Sequence, residues 1–381
     1  YRYAEGGTAA ADHVASGLVQ GAAYNVTSPA IPGYTVDKEI VSGSMPAQDV
    51  IETVTYTKRS DLSYTVNYYW NGTDTKVKES KKVDGKTFQE SVTESPVTIE
   101  GYTPVSNGTA TITIGVENNV INFYYYKDVE LTANSGSFTY DGQPHTVEGY
   151  TCDTAGVNFE GITAAETQTA VGNYPVNFAE DPVNKIDATA KYIVVEANPG
   201  ALVITAHADE VVVETGAIVG AKAKNLYDGT EYTVTGYDVE SISNTLYTEN
   251  DFTFSGTAEA KRTRFGRTEM GLKPEKFTNT NTNFAKVTFV VEDGYIDITK
   301  RPLNLVGETD TKPYTGNPII LNQFTSENLV SGDAVRSISY LAIGTMPNEY
   351  PGAFTGTLEI FNGNDDVTDC YDVTLKPGKL T

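Results

Sequence analysis

Residues able to do chemistry are few and scattered in this chain. Its three histidines, His13, His145 and His207, lie far apart, and its two cysteines are Cys152 and Cys370. No His-Glu-x-x-His, Cys-x-x-Cys, Gly-x-Ser-x-Gly or P-loop pattern is present. With 50 acidic residues, carboxylate pairs are unavoidable and carry no information. The only dense basic run is Lys261-Arg262-Thr263-Arg264-Phe265-Gly266-Arg267. Arginines beside an aromatic ring make good interface anchors, and a guanidinium fork suits sulfate or carboxylate. Arg262, Arg264, Phe265 and Arg267 are therefore the candidate ligand-binding residues. The competing reading is an exposed charged hairpin beside acidic neighbours, where ion pairs are worth little. Asn362-Gly363-Asn364-Asp365-Asp366, with Asp369, is rich in oxygen ligands that could suit calcium. It lacks the EF-hand spacing and terminal bidentate Glu, so a solvated hairpin loop is the plainer reading. No catalytic, cofactor or metal site is expected, and the chain reads as non-enzymatic.

The elements that must position these residues are strands. The 381 residues include 25 Tyr, 14 Phe, 34 Gly and 16 Pro but only three Met, a composition that favours strands and turns. A net charge of −23 opposes nonspecific binding to nucleic acid or anionic membranes. An acidic glycan would need a local site. No signal peptide, transmembrane run or sorting signal is found. The opening Tyr1-Arg2-Tyr3 reads as a strand in mid-flow, so the chain reads as a monomeric fragment of something longer, without direct membrane insertion. Cys152 and Cys370 fall in different repeats, too far apart in a linear array for the roughly 7 Å Cα separation that a disulfide needs.

Three turns set the period. Tyr140-Asp141-Gly142, Tyr227-Asp228-Gly229 and Tyr314-Thr315-Gly316 follow one another at 87-residue spacing, about one small domain per repeat. Asp bonds backbone two residues on and Gly takes positive φ, so the motif reads as a structural turn rather than a ligand contact.

Residues 59–127 form the clearest unit of another type. Tyr64, Val66, Tyr68 and Trp70 share one face of a strand, Asn71-Gly72 makes a hairpin turn, and Ile121, Phe123 and Tyr125 close the unit. Tyr69, Tyr124 and Tyr126 fall on the opposite face, where they could stack on sugars or, the preferred reading, on one another. Residues 1–58 repeat this plan with a clipped opening strand: Ile31-Pro32-Gly33-Tyr34-Thr35 matches Ile99-Glu100-Gly101-Tyr102-Thr103. These two units resemble MucBP repeats, the mucin-binding-protein modules of Gram-positive surface proteins. The resemblance implies a β-grasp or ubiquitin-like fold within a long adhesin.

Residues 128–206, 207–299 and 300–381 share a closing pattern before Gly200, Gly294 and Gly378. Ile193, Val195 and Ala197 match Val287, Phe289 and Val291, then Tyr371, Val373 and Leu375. Each set predicts an inward face, followed by a turn and a second strand paired as a hairpin. Gly172-Asn173-Tyr174-Pro175-Val176 also corresponds to Asn348-Glu349-Tyr350-Pro351-Gly352. These units are similar to the Ig-like repeats, of the MBG type, of bacterial cell-surface proteins, which implies β-sandwiches.

The expectation is an all-β, extended array of five modules on the cell-wall-associated surface of a Gram-positive bacterium. Three functions are in view: multivalent binding of host mucin or another glycoprotein, a stalk presenting a distal head, and capture of a secreted host protein such as an immunoglobulin by the divergent module 207–299.

Overall fold

The computed structural model describes residues 1–216 and 222–381. Among them every regular element is a strand or a single 3-10 turn, so the all-β expectation holds. Many small sheets replace one large one. Contacts gather the chain into two compact units, Tyr1–Phe138 with Pro144–Val203, and Thr139–Gln143 with Ile204–Thr381. In the first unit, residues 59–127 and 128–206 share a strand; in the second, residues 207–299 and 300–381 share an apolar cluster.

In the first unit, strand Leu62–Trp70 follows the predicted alternation. Leu62, Tyr64, Val66 and Tyr68 are buried and pack with Ile121, Phe123 and Tyr125. Tyr125 is fully buried, and its hydroxyl both donates to Val97 O and accepts Val97 N–H. The strand lies parallel to Val120–Ala133, with Thr65 opposite Val120 and Trp70 opposite Tyr125. On its other edge it pairs antiparallel with Lys76–Lys86. In residues 1–58, Arg2–Tyr3 likewise runs parallel to Thr55–Lys58, Tyr3 facing Tyr56.

Strand Val120–Ala133 is 14 residues long and does not stop at the boundary expected at 127/128. Its second half pairs parallel with Tyr192–Asn198 and antiparallel with Tyr150–Cys152. Modules 59–127 and 128–206 are thus joined by one continuous strand, with no linker. The other boundaries expected, 58/59, 206/207 and 299/300, fall between strands. A register shift between Val129 and Glu130 explains a second departure. The extra residue of a bulge reverses which side chains point inward. Val194 is fully buried while Val195 is 40% exposed; of the expected inward set Ile193, Val195 and Ala197, Ile193 is buried and Ala197 half-buried, and Val195 alone departs. The expected alternation is kept in the next copy, where Val287, Phe289 and Val291 all pack against apolar clusters. It fails again at the end of the last, where Leu375 is 43% exposed.

The closing strands also do not form the expected hairpins. In the second unit, Val287–Val291 pairs parallel with Val211–Gly216, whereas Tyr295–Thr299 pairs parallel with Lys222–Leu226 in a different sheet. Tyr371–Lys376 runs parallel to Arg301–Gly307, while Lys379–Leu380 pairs with Tyr350–Pro351. The chain changes sheets at the glycine. There a Cβ on Gly200 would stand 2.0 Å from Asn134 O, and one on Gly378 2.2 Å from Glu308 O, so only glycine permits the backbones to approach this closely. The paired tyrosine segments do correspond. Tyr174 OH donates to Ala170 O at 3.1 Å, and Tyr350 OH to Met346 O at 2.9 Å, each closing a corner on backbone four residues earlier.

A buried aspartate organises the loop that meets the shared strand. Asp187 is 7% exposed. Its Oδ1 accepts the N–H groups of Lys191 and Tyr192, both at 2.8 Å, and its Oδ2 accepts the N–H and hydroxyl of Thr189. The loop so held presents Lys191 O to Trp70 Nε1–H at 2.9 Å and Ala190 O to Asn71 Nδ2–H at 2.7 Å. Tyr192 meets the indole edge-on at 5.5 Å. Burial alone would raise the Asp187 pKa, but the Thr189 hydroxyl and three backbone amides outweigh it, and the carboxyl titrates below its ordinary 3.8. Its stabilisation is complete above that pH and is lost as pH falls through the lower folded value. Trp70 is the only tryptophan in the chain, so its emission reports this contact. Acidification below the ordinary aspartate value is expected to shift that emission to the red. Asp187→Ala, which costs about 1–3 kcal/mol through orphaned donors, should show the shifted spectrum already at neutral pH. An unchanged spectrum in the variant would refute the assignment.

Candidate functional site

The basic run lies between strands Glu259–Arg262 and Gly266–Glu269. Arg262 binds its own turn: Nε donates to Arg264 O at 2.7 Å, Nη1 to Arg267 O at 3.2 Å, and Nη2 to Phe265 O. Arg264 reaches out of its module and donates to Asp369 Oδ1 at 2.7 Å. Beside it, Phe265 N–H points at Cys370 Sγ at 3.4 Å, and Lys300 Nζ sits 4.8 Å above the Phe265 ring. Arg267 lies 3.8 Å over the Tyr295 ring and 3.5 Å from Asp297. The four candidate residues are therefore gathered at one turn, and each is engaged with groups of this chain.

The acidic loop turns out to be the partner of the basic one. Asn362 and Asp365 close a tight antiparallel hairpin. Asp366 Oδ1 accepts the N–H and hydroxyl of Thr368, starting the 3-10 turn Thr368–Cys370 on which Arg264 and Phe265 dock. For Asp369, burial would raise the pKa, but Arg264 and the Cys370 thiol hold it below the ordinary aspartate value. Both segments stood out in the sequence for their charge. Their mutual contact did not, because 105 residues separate Arg264 from Asp369.

The deeper part of this junction was not legible as a site at all. Tyr227 OH donates to Asp333 Oδ2 at 3.2 Å, and Tyr371 OH donates to the same oxygen at 2.6 Å. Asn362 Nδ2–H fills Oδ1 at 2.7 Å. Tyr371 OH also accepts Val330 N–H, and the two tyrosine rings meet edge-on at 5.4 Å. Asp333 is 8% exposed, and the group sits in an apolar cluster that joins Ile296 and Ile298 of one module to Leu303, Leu305 and Ile360 of the next. A buried carboxylate is tolerated only where donors satisfy it. Here the donors come from both modules, so the hydrogen bonds fix one against the other.

Elsewhere, side chains able to do chemistry remain apart. His13 is exposed, His145 stacks on Phe138 at 4.5 Å, and His207 lies 6.0 Å from Phe284. Among the described residues, no group of three or more His, Cys, Asp or Glu could hold a metal. Cys152 and Cys370 are free thiols, and burial pushes both pKa values up, which lowers their reactivity. An open cleft of about 530 Å³ is lined by Tyr150, Cys152, Asn158 and Thr163, but the Tyr150 hydroxyl is already bonded to Asn158 and Phe159.

One outward face is chemically distinctive. Tyr69 and Tyr124 stack across parallel strands at 6.0 Å, with Tyr124 43% exposed. Tyr126, expected beside them, is half-buried. Next along the face, Asn67 Nδ2–H donates to Asn122 Oδ1 at 3.0 Å, and Ser80 Oγ–H donates to Asn67 Oδ1 at 2.7 Å. Lys76, opposite Tyr69, rises from the neighbouring edge strand, a usual place for lysines that guard an edge.

No protein-family model and no curated protein matches the chain. Among solved structures, one described as "The Bacillus anthracis TIE protein" is similar over 67% of this chain at 9% identity and a TM-score of 0.23, and the chain spans 54% of that protein's length. Another, the N-terminal four Ig domains of Dscam1 isoform 9.44 with zinc, is similar over 72% of this chain and 77% of its own at 10% identity and a TM-score of 0.17. The all-β assignment rests on the strands themselves.

The Asp333 group yields a test with a defined sign. Burial first, then the Asp333 charge and hydrogen bond, push the Tyr227 hydroxyl above its ordinary 10.0. Burial and the Asp333 hydrogen bond do the same for Tyr371. The unfolded chain therefore releases these protons first, so stability is full below pH 10 and declines as pH rises toward the folded values. Denaturant unfolding followed against pH should show this alkaline decline in the second unit, and Tyr227→Phe should flatten it. At neutral pH, Asp333→Ala strands two hydroxyls and should cost about 1–3 kcal/mol for each. A neutral Asp333→Ala would show that the carboxylate does not hold the junction.

Proposed function

We propose that the chain is a non-enzymatic repeat region of a Gram-positive cell-surface protein, whose modules form a stalk that resists tension. The observation that carries this reading is the parallel pairing of opening and closing strands. It occurs between Arg2–Tyr3 and Thr55–Lys58, Leu62–Trp70 and Val120–Ala133, Val120–Ala133 and Tyr192–Asn198, Val211–Gly216 and Val287–Val291, and Arg301–Gly307 and Tyr371–Lys376. When an early and a late strand run parallel, the chain enters the pair at one end and leaves it at the other. A pull on the chain then loads all the interstrand hydrogen bonds together in shear. Peeling such strands apart would load them singly. The likeness of residues 1–127 to MucBP units, with β-grasp folds, and of residues 128–381 to MBG-type Ig-like sandwiches fits a surface location. A net charge of −23 keeps such a region soluble.

Presentation of a glycan-binding face is a second reading, favoured by the Tyr69–Tyr124 pair. Stacked rings, two asparagine amides and the ammonium of Lys76 would suit an acidic mucin-type glycan, with repeats in the parent raising avidity. Capture of a host protein by Arg262, Arg264, Phe265 and Arg267 is less favoured, because those side chains already have partners within the chain.

Pulling the chain by its two ends in single-molecule force spectroscopy should require several-fold more force per module than pulling by handles at Asp61 and Glu117, which peels Leu62–Trp70 from Val120–Ala133. Equal forces would remove the stalk reading. For the second, retention on sialylated or sulfated mucin glycans should weaken about tenfold in Tyr124→Ala, equivalent to roughly 1.4 kcal/mol, and should fall with added salt. A wild-type chain that is not retained removes it.

A further inference from the structure

The second unit contains all three Tyr-x-Gly turns, and two of them are seated in the same way. Tyr140 N–H donates to Thr205 O at 2.9 Å, and Tyr227 N–H to Thr299 O at 3.0 Å. Asp141 Oδ1 accepts Gln143 N–H, and Asp228 Oδ1 accepts Thr230 N–H, both at 2.9 Å. Gly142 and Gly229 each take φ of +78°. Tyr140 meets Phe284 edge-on at 5.6 Å and 77°, and Tyr227 meets Tyr371 edge-on at 5.4 Å and 80°. A Cβ at Gly142 would lie 2.8 Å from Leu246 Cδ2, and one at Gly229 3.3 Å from Val330 Cγ1. Phe284 and Tyr371 are themselves 87 residues apart, the turn period. One contact is thus used twice. The turn tyrosine takes an aromatic edge from the module that follows in sequence, and the turn glycine leaves room for a branched aliphatic residue of that module.

The third turn has the shape without the neighbour. Gly316 keeps φ at +82°. Thr315 Oγ1 accepts Asn317 N–H at 3.4 Å, the weaker hydroxyl version of the aspartate turn. Tyr314 is 61% exposed, against 2% for Tyr227, and a Cβ on Gly316 would meet nothing within 4 Å. We infer that the Tyr314-Thr315-Gly316 turn is a docking face for one further module of this same type, which would offer an aromatic residue where Phe284 and Tyr371 stand and a branched aliphatic one where Leu246 and Val330 stand. The occupant follows from the two seated turns and does not depend on whether the modules serve as a stalk or bind a glycan.

Backbone register says how to build the test. Asp310 bridges Leu380 in parallel as Ala223 pairs with Ile296, so Thr381 holds the place of Asp297 and Ile298 is its natural successor. The full chain is extended after Thr381 by a second copy of Ile298–Thr381, and Tyr314 is probed with tetranitromethane and peptide mass analysis. In the extended chain, Tyr314 nitration should fall to the level of Tyr227. Tyr314→Ala should lower the melting temperature of the extended chain and leave that of the original chain unchanged. A folded extension with Tyr314 still nitrated at the original rate overturns the proposal. So does an extension that fails to fold, since the same sequence folds against the Tyr227 turn. Self-association of the original chain that protects Tyr314 would assign the face to a second copy and overturn it as well.

Discussion

Parallel pairing between an early and a late strand of each module is the constraint on which the remaining structure depends. Such a pair cannot be closed by a tight turn, so everything between the two strands must be folded into a crossover. Tyr3 finds Tyr56, Trp70 finds Tyr125, and Val211 finds Val287 only after the intervening chain has been ordered. Closing a loop of that length is entropically unfavourable, though the penalty grows only slowly with length. The compensating burial comes from large side chains placed on the paired strands themselves. Val66, Tyr125, Leu131, Val211, Leu303 and Leu305 are all essentially inaccessible, so the pairing and the core form together or not at all.

Two buried aspartates finish the junctions in different ways. Asp187 takes its donors from backbone within five residues, so it shapes a loop locally and the loop then meets Trp70. Asp333 takes hydroxyl protons from residues 106 and 38 positions away, so it cannot be satisfied until two modules are in place. The first device is one that a short peptide could partly retain. The second exists only in the assembled unit, and neutral tyrosine donors let it do without a buried cation. Arg264 and Asp369, half exposed at the rim, add orientation more than stability.

Much of the strand patterning could be read from patterns of period two. The alternation in Leu62–Trp70 gave Tyr64, Val66 and Tyr68 as its inward face, while Trp70, expected with them, is half-buried against the Asp187 loop. What could not be read was which strand each one pairs with. Alternation states that a strand has two faces and is silent about its neighbours, so Tyr295–Thr299 passed for the second arm of a hairpin when it belongs to another sheet. A single bulge, which leaves Val195 unpaired opposite Val129 and Glu130, was enough to turn Val195 outward, and no residue type marks it. The basic run and the acidic loop were each visible as charge, but proximity across 105 positions is a property of the fold. Asp333 was hidden for a simpler reason: one aspartate among 50 acids carries no sign of being buried.

The shared strand changes what a module boundary means here. Where modules are joined by a linker, tension first straightens the linker and each module then responds alone. In Val120–Ala133 the two pairings meet on one residue: Lys127 opposes Tyr102 of one module and Tyr192 of the next. Force leaving the module of residues 59–127 passes directly along the shared strand into the module of residues 128–206, with no linker between. The Trp70 and Asn71 bonds to Lys191 and Ala190 span the same point from the side. Shearing Leu62–Trp70 away from the shared strand must therefore also detach the Asp187 loop. The two modules should resist as a coupled pair, and the weaker of their two parallel pairings is supported by contacts belonging to the other.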